Sequence, residues 1–292
     1  MGRSRWTRNG LIVAIIVAAF LAGSVVLVKA QADFRALWAR SGHANRELAR
    51  DEASVETRGE SAAHCGRCHS EQGFLAWLPQ LEKGNPGLIT KPDGSPADIT
   101  FLSNLGLNRF SVRPITCATC HKADYTLRVT ASTSVLPAGF RAVGVGLGAQ
   151  CMTCHNTRNG EHTDFVAAPV NFSAPHSPAQ TDALYGFNAY FVPRYTPGGH
   201  LAVKDTCATC HVAIAPTGAK TNHGFKVDNS LCSKCHSGWV DGEGLQAAYD
   251  MQLTALDKLI ASKAKATIAT ALAVAGNKVT VVALHPDPAT PF

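Results

Sequence analysis

The ten cysteines of this chain all belong to one motif, Cys-x-x-Cys-His, which occurs five times. The cysteine pairs are Cys65 and Cys68, Cys117 and Cys120, Cys151 and Cys154, Cys207 and Cys210, and Cys232 and Cys235. The histidines that complete the motifs are His69, His121, His155, His211 and His236. Any fold for this chain must therefore place five pairs of thiols, each followed directly by an imidazole.

Cys-x-x-Cys-His is the attachment signature of c-type haem, in which two thiols add to the porphyrin vinyl groups and the histidine binds the iron. A Cys-x-x-Cys pair could also form a redox disulfide or half of a zinc site. A zinc protein usually pairs two such units, and five copies leave one unmatched. A redox disulfide gives no reason for a histidine after every copy. The sequence therefore predicts five covalently bound haem c groups, each with one iron.

The N-terminus has the pattern of an export signal. Arg3, Arg5 and Arg8 precede an apolar run over residues 11–28, and small residues follow it. This pattern predicts a signal peptide over residues 1–32. The alternative is an uncleaved anchor, because the apolar run is just long enough to cross a bilayer with its basic end inside. Both interpretations export the motifs to the periplasm or surface of a bacterial cell.

The formal net charge of +6 comes mostly from the export segment. Without Arg3, Arg5, Arg8 and Lys29, 23 basic and 21 acidic side chains remain, a net charge of +2. Each bound haem would add two propionates and make the protein more acidic. The charge therefore gives no support to a nucleic-acid partner.

The spacing of apolar residues favours a fold with little regular structure. No long amphipathic helix or alternating strand dominates between Leu75 and Trp239. Gly- and Pro-rich turns interrupt this region at residues 84–87, 92–96 and 193–199. We therefore expect a mostly irregular chain with short α-helices that carry the motifs, little β structure, and a core supplied largely by five haems.

The domain organisation predicted from these patterns has four parts. Residues 33–59 form a charged helical linker, and residues 60–240 form a pentahaem cytochrome domain. Residues 241–292 form a C-terminal helix, over residues 244–275, and a short strand at Val279–Val282. This tail either packs on the haem domain or provides an assembly or partner surface. Residues 1–32, the export segment, complete the chain.

The histidines outside the motifs decide between a carrier and an enzyme. A haem iron with two protein ligands transfers electrons, whereas an open position can bind a small molecule. The candidate second ligands are His64, His162, His176, His200 and His223. We interpret His43 and His285 as ordinary residues, because they lie outside the haem span. Mostly bis-His ligation is predicted, and one haem is open if any of the five assignments is wrong.

Residues 60–240 resemble the multihaem c-type cytochromes of bacterial respiration. The resemblance rests on the five motifs, on the turn that carries His176, and on the His223–Phe225 segment before the last motif. It implies electron transfer through haems. Some members of that group carry a further histidine, Cys-His-x-x-His, which is missing after His121 because Asp124 stands at that position.

The leading hypothesis is an electron carrier, not an enzyme, that passes electrons one at a time between other respiratory redox proteins. A second is a membrane-anchored quinol dehydrogenase, which requires that residues 11–28 are retained. A third is a reductase of a small oxyanion such as nitrite with one open haem. The pentahaem nitrite reductases typically use Cys-x-x-Cys-Lys at the active haem, and this chain has no such motif. A fourth is a homo-oligomeric haem filament.

Overall fold

A computed structural model describes residues 34–158, 160–161, 179–188, 196–212, 221–227, 229–236 and 242–275. The chain divides into two compact units, Met1–Val227 and Asp228–Phe292. The first four motifs belong to the first unit, and the fifth belongs to the second. The export segment, the short strand expected at Val279–Val282, and His162, His176 and His285 lie outside the described residues.

The first unit is built from short helices. They are α1 (Arg46–Ala53), α2 (Val55–Arg58), α3 (Ala62–His69), α4 (Glu71–Glu82), α5 (Ile99–Asn104), α6 (Cys117–Cys120), α7 (Ala149–Met152), α8 (Gln180–Tyr185) and α9 (Cys207–His211). Residues 34–38 are also helical, and 3₁₀ turns occur at Gly42–Ala44, Gly59–Ser61 and Gly199–Ala202. Short helices are what the sequence predicts for the segments that carry the motifs.

β pairing in the described ranges consists of isolated bridges, and in three of them, all antiparallel, both partners are described. They join Thr90 to Pro96, His121 to Leu127, and Ala131 to Gly146. The low β content agrees with the expectation of little β structure. That the chain wraps around haems stays a prediction.

Side-chain caps fix the starts of several helices. The Asn45 side chain accepts a hydrogen bond from the Leu48 amide at the start of α1. The Ser70 hydroxyl accepts one from the Gly73 amide at the start of α4. Such caps satisfy backbone N–H groups that have no partner inside the helix. Helices this short are marginal alone, so the caps and tertiary packing together hold them in place.

The first core of this unit forms around α4. Its largest fully buried side chains include Phe74 and Trp77, and Leu102 of α5 packs with them. Ala49 and Ala53 of α1 belong to the same cluster. They lie four residues apart and therefore share one face of that helix. Helix α1, which lies within the predicted linker segment, thus packs into this core through one face.

A second core forms around the third motif. Met152 of α7 is buried there with Leu136, Phe140 and Val145, and Tyr185 of α8 joins the cluster. The Tyr185 hydroxyl donates a hydrogen bond to the Val143 carbonyl. Helices α7 and α8 are therefore held by one apolar cluster.

The second unit contains a 3₁₀ helix, Asn229–Lys234, followed by α10, Gly242–Ala275. The sequence predicts a helix over residues 244–275 in the same place. Large apolar side chains on α10 are exposed, among them Met251, Leu253 and Ile260. Among the described residues, no helix is both long enough and apolar enough to cross a membrane.

Candidate functional site

Each of the five motifs lies on a short helix or begins in one. The α3, α6, α7 and α9 helices carry the first four, and the 3₁₀ helix Asn229–Lys234 carries the fifth. Residues three apart lie on the same side of a helical turn. The two thiols of a pair can therefore face one ligand, with the histidine following directly. All ten cysteines are free thiols.

The second motif is positioned by its helix cap. Thr116 accepts a hydrogen bond from the Ala118 amide, and Thr119 completes a reciprocal capping box. The Thr116 hydroxyl donates to a carboxylate oxygen of Glu71, which is nearly buried at the start of α4. The Glu71 carboxylate also pairs with Arg113 at 2.6 Å. The second motif is thus tied to the helix that follows the first motif.

The motif histidines of the second and fourth motifs bond carbonyl oxygens through Nδ1. His121 Nδ1 lies 2.7 Å from the Tyr125 carbonyl oxygen, and His211 Nδ1 lies 3.0 Å from the Phe225 carbonyl oxygen. A carbonyl oxygen can only accept, so Nδ1 must donate the hydrogen. In a neutral ring the lone pair is then on Nε2. This tautomer is the one in which Nε2 can bind a metal ion.

The histidine of the third motif is held by three successive residues of α8. His155 Nδ1 lies 3.3 Å from the Gln180 side-chain oxygen. The backbone amide and hydroxyl of Thr181 both donate to the His155 carbonyl oxygen. The buried Asp182 carboxylate accepts from the backbone amide and the hydroxyl of Thr157, at 2.8 and 2.6 Å. Helix α8 therefore orients the ring and fixes the backbone of this motif.

His223 faces the histidine of the second motif. The ring centroids of His121 and His223 are 6.2 Å apart, with their planes inclined by 31°. A metal ion that binds one nitrogen of each of two imidazoles at about 2 Å sets their ring centroids about 6 Å apart. The Nδ1 atom of His223 lies 3.2 Å from the Thr221 hydroxyl, which leaves Nε2 for another ligand. The pair therefore fits a single iron between its rings.

His43 forms a similar pair with the histidine of the third motif. The ring centroids of His43 and His155 are 6.1 Å apart, with their planes inclined by 81°. From the sequence, His43 is interpreted as an ordinary residue, because it precedes the segment that contains the five motifs. The signal that could have found it is its position in a turn beside Gly42, like the candidates His200 and His223. Only the tertiary packing brings it to the third motif.

Three of the four imidazoles in these pairs, those of His43, His155 and His223, have lowered pKa values. Burial, with a smaller contribution from neighbouring His155, lowers the pKa of His43 to about 4. Burial also lowers the pKa of His155 and, with the charge of His121, the pKa of His223. A neutral imidazole is the form that binds metal ions. These rings are therefore available as ligands at neutral pH.

The thiols of different motifs meet inside the first unit. The Cys68 thiol lies near that of Cys154, and the Cys151 thiol lies near that of Cys207, so that within each pair one thiol influences the other's pKa. The contact with Cys68, together with burial, raises the pKa of the Cys154 thiol well above its ordinary value. The third motif thus contacts the first through one cysteine and the fourth through the other.

The first motif and the third also line one cavity together. His69 and Cys154 both face it, as does His64, whose Nε2 is buried. Arg67, between the two cysteines of the first motif, is only 2% exposed. Its guanidinium donates to the Pro86 and Gly87 carbonyl oxygens. It therefore ties the loop after α4 to the first motif.

The predicted site residues are thus brought together in part. His223 is placed against a motif histidine, and His64 lies in the cavity shared by the first and third motifs. His200 lies on an exposed 3₁₀ turn of the first unit, and His236 lies in the second unit. The predictions for His162 and His176 fall on residues that the structure does not describe.

No protein-family model, curated protein or solved structure matches this chain. In the described part of the chain, no group of three or more His, Cys, Asp or Glu side chains is arranged to hold a metal ion. Two pairs of histidine rings lie close together instead, His121 with His223 and His43 with His155. The functional interpretation therefore depends on the motifs and on these pairs.

Proposed function

We propose that this chain is an exported multihaem c-type cytochrome that carries electrons between respiratory redox proteins of a bacterium. The observation that carries the proposal is the pairing of a motif histidine, His121, with the remote His223 across 6.2 Å. The separation suits two axial ligands of one iron. The tautomer of His121 leaves the nitrogen that such a bond requires.

The residues present fit five covalently attached haems. The ten motif cysteines would hold them by thioether bonds, and the five motif histidines would be the first axial ligands. His223 would be the second ligand of the iron bound by His121. His64, His162, His176 and His200 are the predicted second ligands elsewhere. Each haem iron, when bound, takes up and releases one electron.

The side chains around the histidines support a carrier more than an enzyme. If both imidazoles bind one iron, no position is left for a substrate, and the pair at His121 and His223 would exclude small molecules there. The hydrogen bond from His121 to the Tyr125 carbonyl fixes the orientation of the ring. A hydrogen bond of this kind also raises the basicity of the imidazole, which would favour the oxidised iron. This chemistry suits electron transfer at low potential.

The contacts between motifs support transfer along the chain. The thiol contacts of Cys68 with Cys154 and of Cys151 with Cys207 place the attachment points of three motifs next to each other. Electron tunnelling falls off steeply with distance, so groups attached at touching sulfurs are well placed to exchange electrons. The first, third and fourth motifs would then form a continuous path.

The proposed location of the protein, and whether it contacts the membrane, depend on its N-terminal sequence. Export to the periplasm or cell surface places the protein where haem is attached to such motifs. Its partners would be other redox proteins, and membrane contact requires that residues 11–28 are retained. Sequencing the N-terminus of the mature protein tests this part, because a start near Gln31 removes the segment.

The experiment for the proposed function is expression in a bacterium with an active c-type haem maturation system. The expected product carries five haems per chain by intact mass and pyridine haemochrome assay. Its oxidised spectrum is expected to be unchanged by cyanide or nitrite, and nitrite is expected to show no steady-state turnover. A chain without covalent haem would overturn the proposal. Binding of cyanide to the oxidised protein, with turnover of nitrite, would favour the reductase instead.

A further inference from the structure

The segment ahead of the first motif runs beside two other motifs. Trp38 donates its indole hydrogen to the Ile115 carbonyl oxygen, 2.8 Å away and just before the second motif. The Phe34 ring lies 5.0 Å from the ring of His223. A few residues later the chain turns through Gly42–Ala44, and Asn45 caps α1. Residues 34–45 are thus anchored at both ends.

These anchors fix the position of His43. Its ring centroid lies 6.1 Å from that of His155, and its edge packs on the Phe225 ring with the centroids 4.5 Å apart. Phe225 also accepts the hydrogen bond of His211 through its carbonyl oxygen, and its φ of 57° is unusual for a bulky residue. The surrounding packing must hold this strained conformation. His43 therefore contacts a rigid part of the site.

On the side of its ring away from His43, His155 makes the kind of hydrogen bond that is expected of a histidine that binds a metal ion. Its Nδ1 donates to the Gln180 side-chain oxygen, so its Nε2 carries the lone pair. His43 stands at the separation from it that two imidazoles on one metal require. The same separation recurs at His121 and His223.

We propose that His43 is the second axial ligand of the iron whose first ligand is His155. The inference rests on the proposed function, because it requires a haem at the third motif. It makes the N-terminal segment part of the haem-binding domain. With His223 and His43 assigned, three irons remain for His64, His162, His176 and His200, so one of these four predicted ligands is then not needed.

The test compares His43→Ala and His43→Phe with the wild-type holoprotein by electron paramagnetic resonance. His43→Phe keeps an aromatic ring against Phe225 but cannot bind iron. Both variants are expected to convert one low-spin iron of five to high spin. Added imidazole is expected to restore the low-spin signal in His43→Ala, where the space of the ring is empty, and not in His43→Phe. Arg40→Phe, at an exposed position of the same segment, is the matched control and should leave all signals unchanged.

A knockout of the third motif assigns the affected iron. In a Cys151→Ala, Cys154→Ala, His155→Ala background, His43→Phe should produce no additional high-spin signal. Low-spin spectra in both single variants, or a high-spin signal that persists in the knockout background, would overturn the inference while leaving the proposed function intact. A wild-type protein without haem would overturn both.

A further variant covers the case in which these variants fail to fold. His43→Met supplies a thioether ligand, which raises the reduction potential of a haem relative to bis-His ligation. A redox titration is then expected to show one of five potentials shifted upward. Five unchanged potentials would contradict the assignment of His43.

Discussion

The imidazole of His121 faces that of His223 with 6.2 Å between ring centroids, although the third and fourth motifs lie between them in the sequence. Each ring uses Nδ1 for a local contact, His121 with the Tyr125 carbonyl and His223 with the Thr221 hydroxyl. The Nε2 atom of each ring is left to bind a metal ion between them. Long-range folding, not local sequence, thus creates this candidate iron site.

His223→Ala should remove one axial ligand from the iron bound by His121. The expected result is a high-spin ferric signal from one iron, reversed by added imidazole, with haem content unchanged. Electron paramagnetic resonance measures the signal, and intact mass confirms that all haems remain attached.

The control for His223→Ala is the same substitution in a protein whose second motif has been removed by Cys117→Ala, Cys120→Ala and His121→Ala. There His223→Ala should add no high-spin iron. A high-spin signal that appears in both backgrounds would assign His223 to a different haem.

Gly73→Ala should destabilise the first unit, although alanine is normally the better helix former. A Cβ at Gly73 would stand 2.2 Å from the carbonyl oxygen of Gly66, inside the first motif. Helix α4 must then move away from α3, at a cost of about 1–3 kcal/mol for an overpacked site. Urea unfolding followed by circular dichroism measures the change.

The comparison for this variant is Gly199→Ala, where a Cβ meets no atom within 4 Å. We expect a change of at most about 0.5 kcal/mol there, as for a surface site. Equal effects of the two substitutions would show that α3 and α4 do not pack as described.

Asp182→Ala should weaken the support of the third motif. The buried carboxylate accepts hydrogen bonds from the Thr157 amide and hydroxyl and from the Asn188 side chain. Its loss leaves buried donors without an acceptor and should cost about 3 kcal/mol of unfolding free energy. The midpoint of urea unfolding is the readout.

Asp51→Ala is the control for Asp182→Ala, because the Asp51 side chain on α1 is exposed. Its unfolding free energy should change by at most about 0.5 kcal/mol. A small effect of Asp182→Ala, comparable with this control, would contradict the buried network around Thr157.

The sequence predicts the local features of this molecule better than its long-range ones. The motifs, the short helices and the scarcity of β structure follow from residue types and spacing. The turn beside Gly42 could have made His43 a candidate, but its approach to His155 could not be predicted, because it depends on the anchoring of Trp38 at Ile115. Nothing in the local sequence specifies that contact.

The same limit applies to the charged N-terminal segment and to α8. Charges between residues 33 and 59 suggest a linker, while only Ala49 and Ala53 mark the buried face of α1. Alanine is too common on exposed helices to reveal such a face. The contacts of Gln180 and Asp182 with the third motif likewise join residues that are 25 positions apart in the sequence. No periodic pattern of residues predicts such a pairing.

The most direct test of the account is the electron paramagnetic resonance spectrum of the oxidised wild-type holoprotein, with spin quantified against its iron content. Low-spin ferric signals that sum to five irons per chain are expected, because each motif histidine is proposed to have a second imidazole opposite it. A high-spin ferric signal in the wild-type protein, or the absence of ferric haem, would contradict the proposed function.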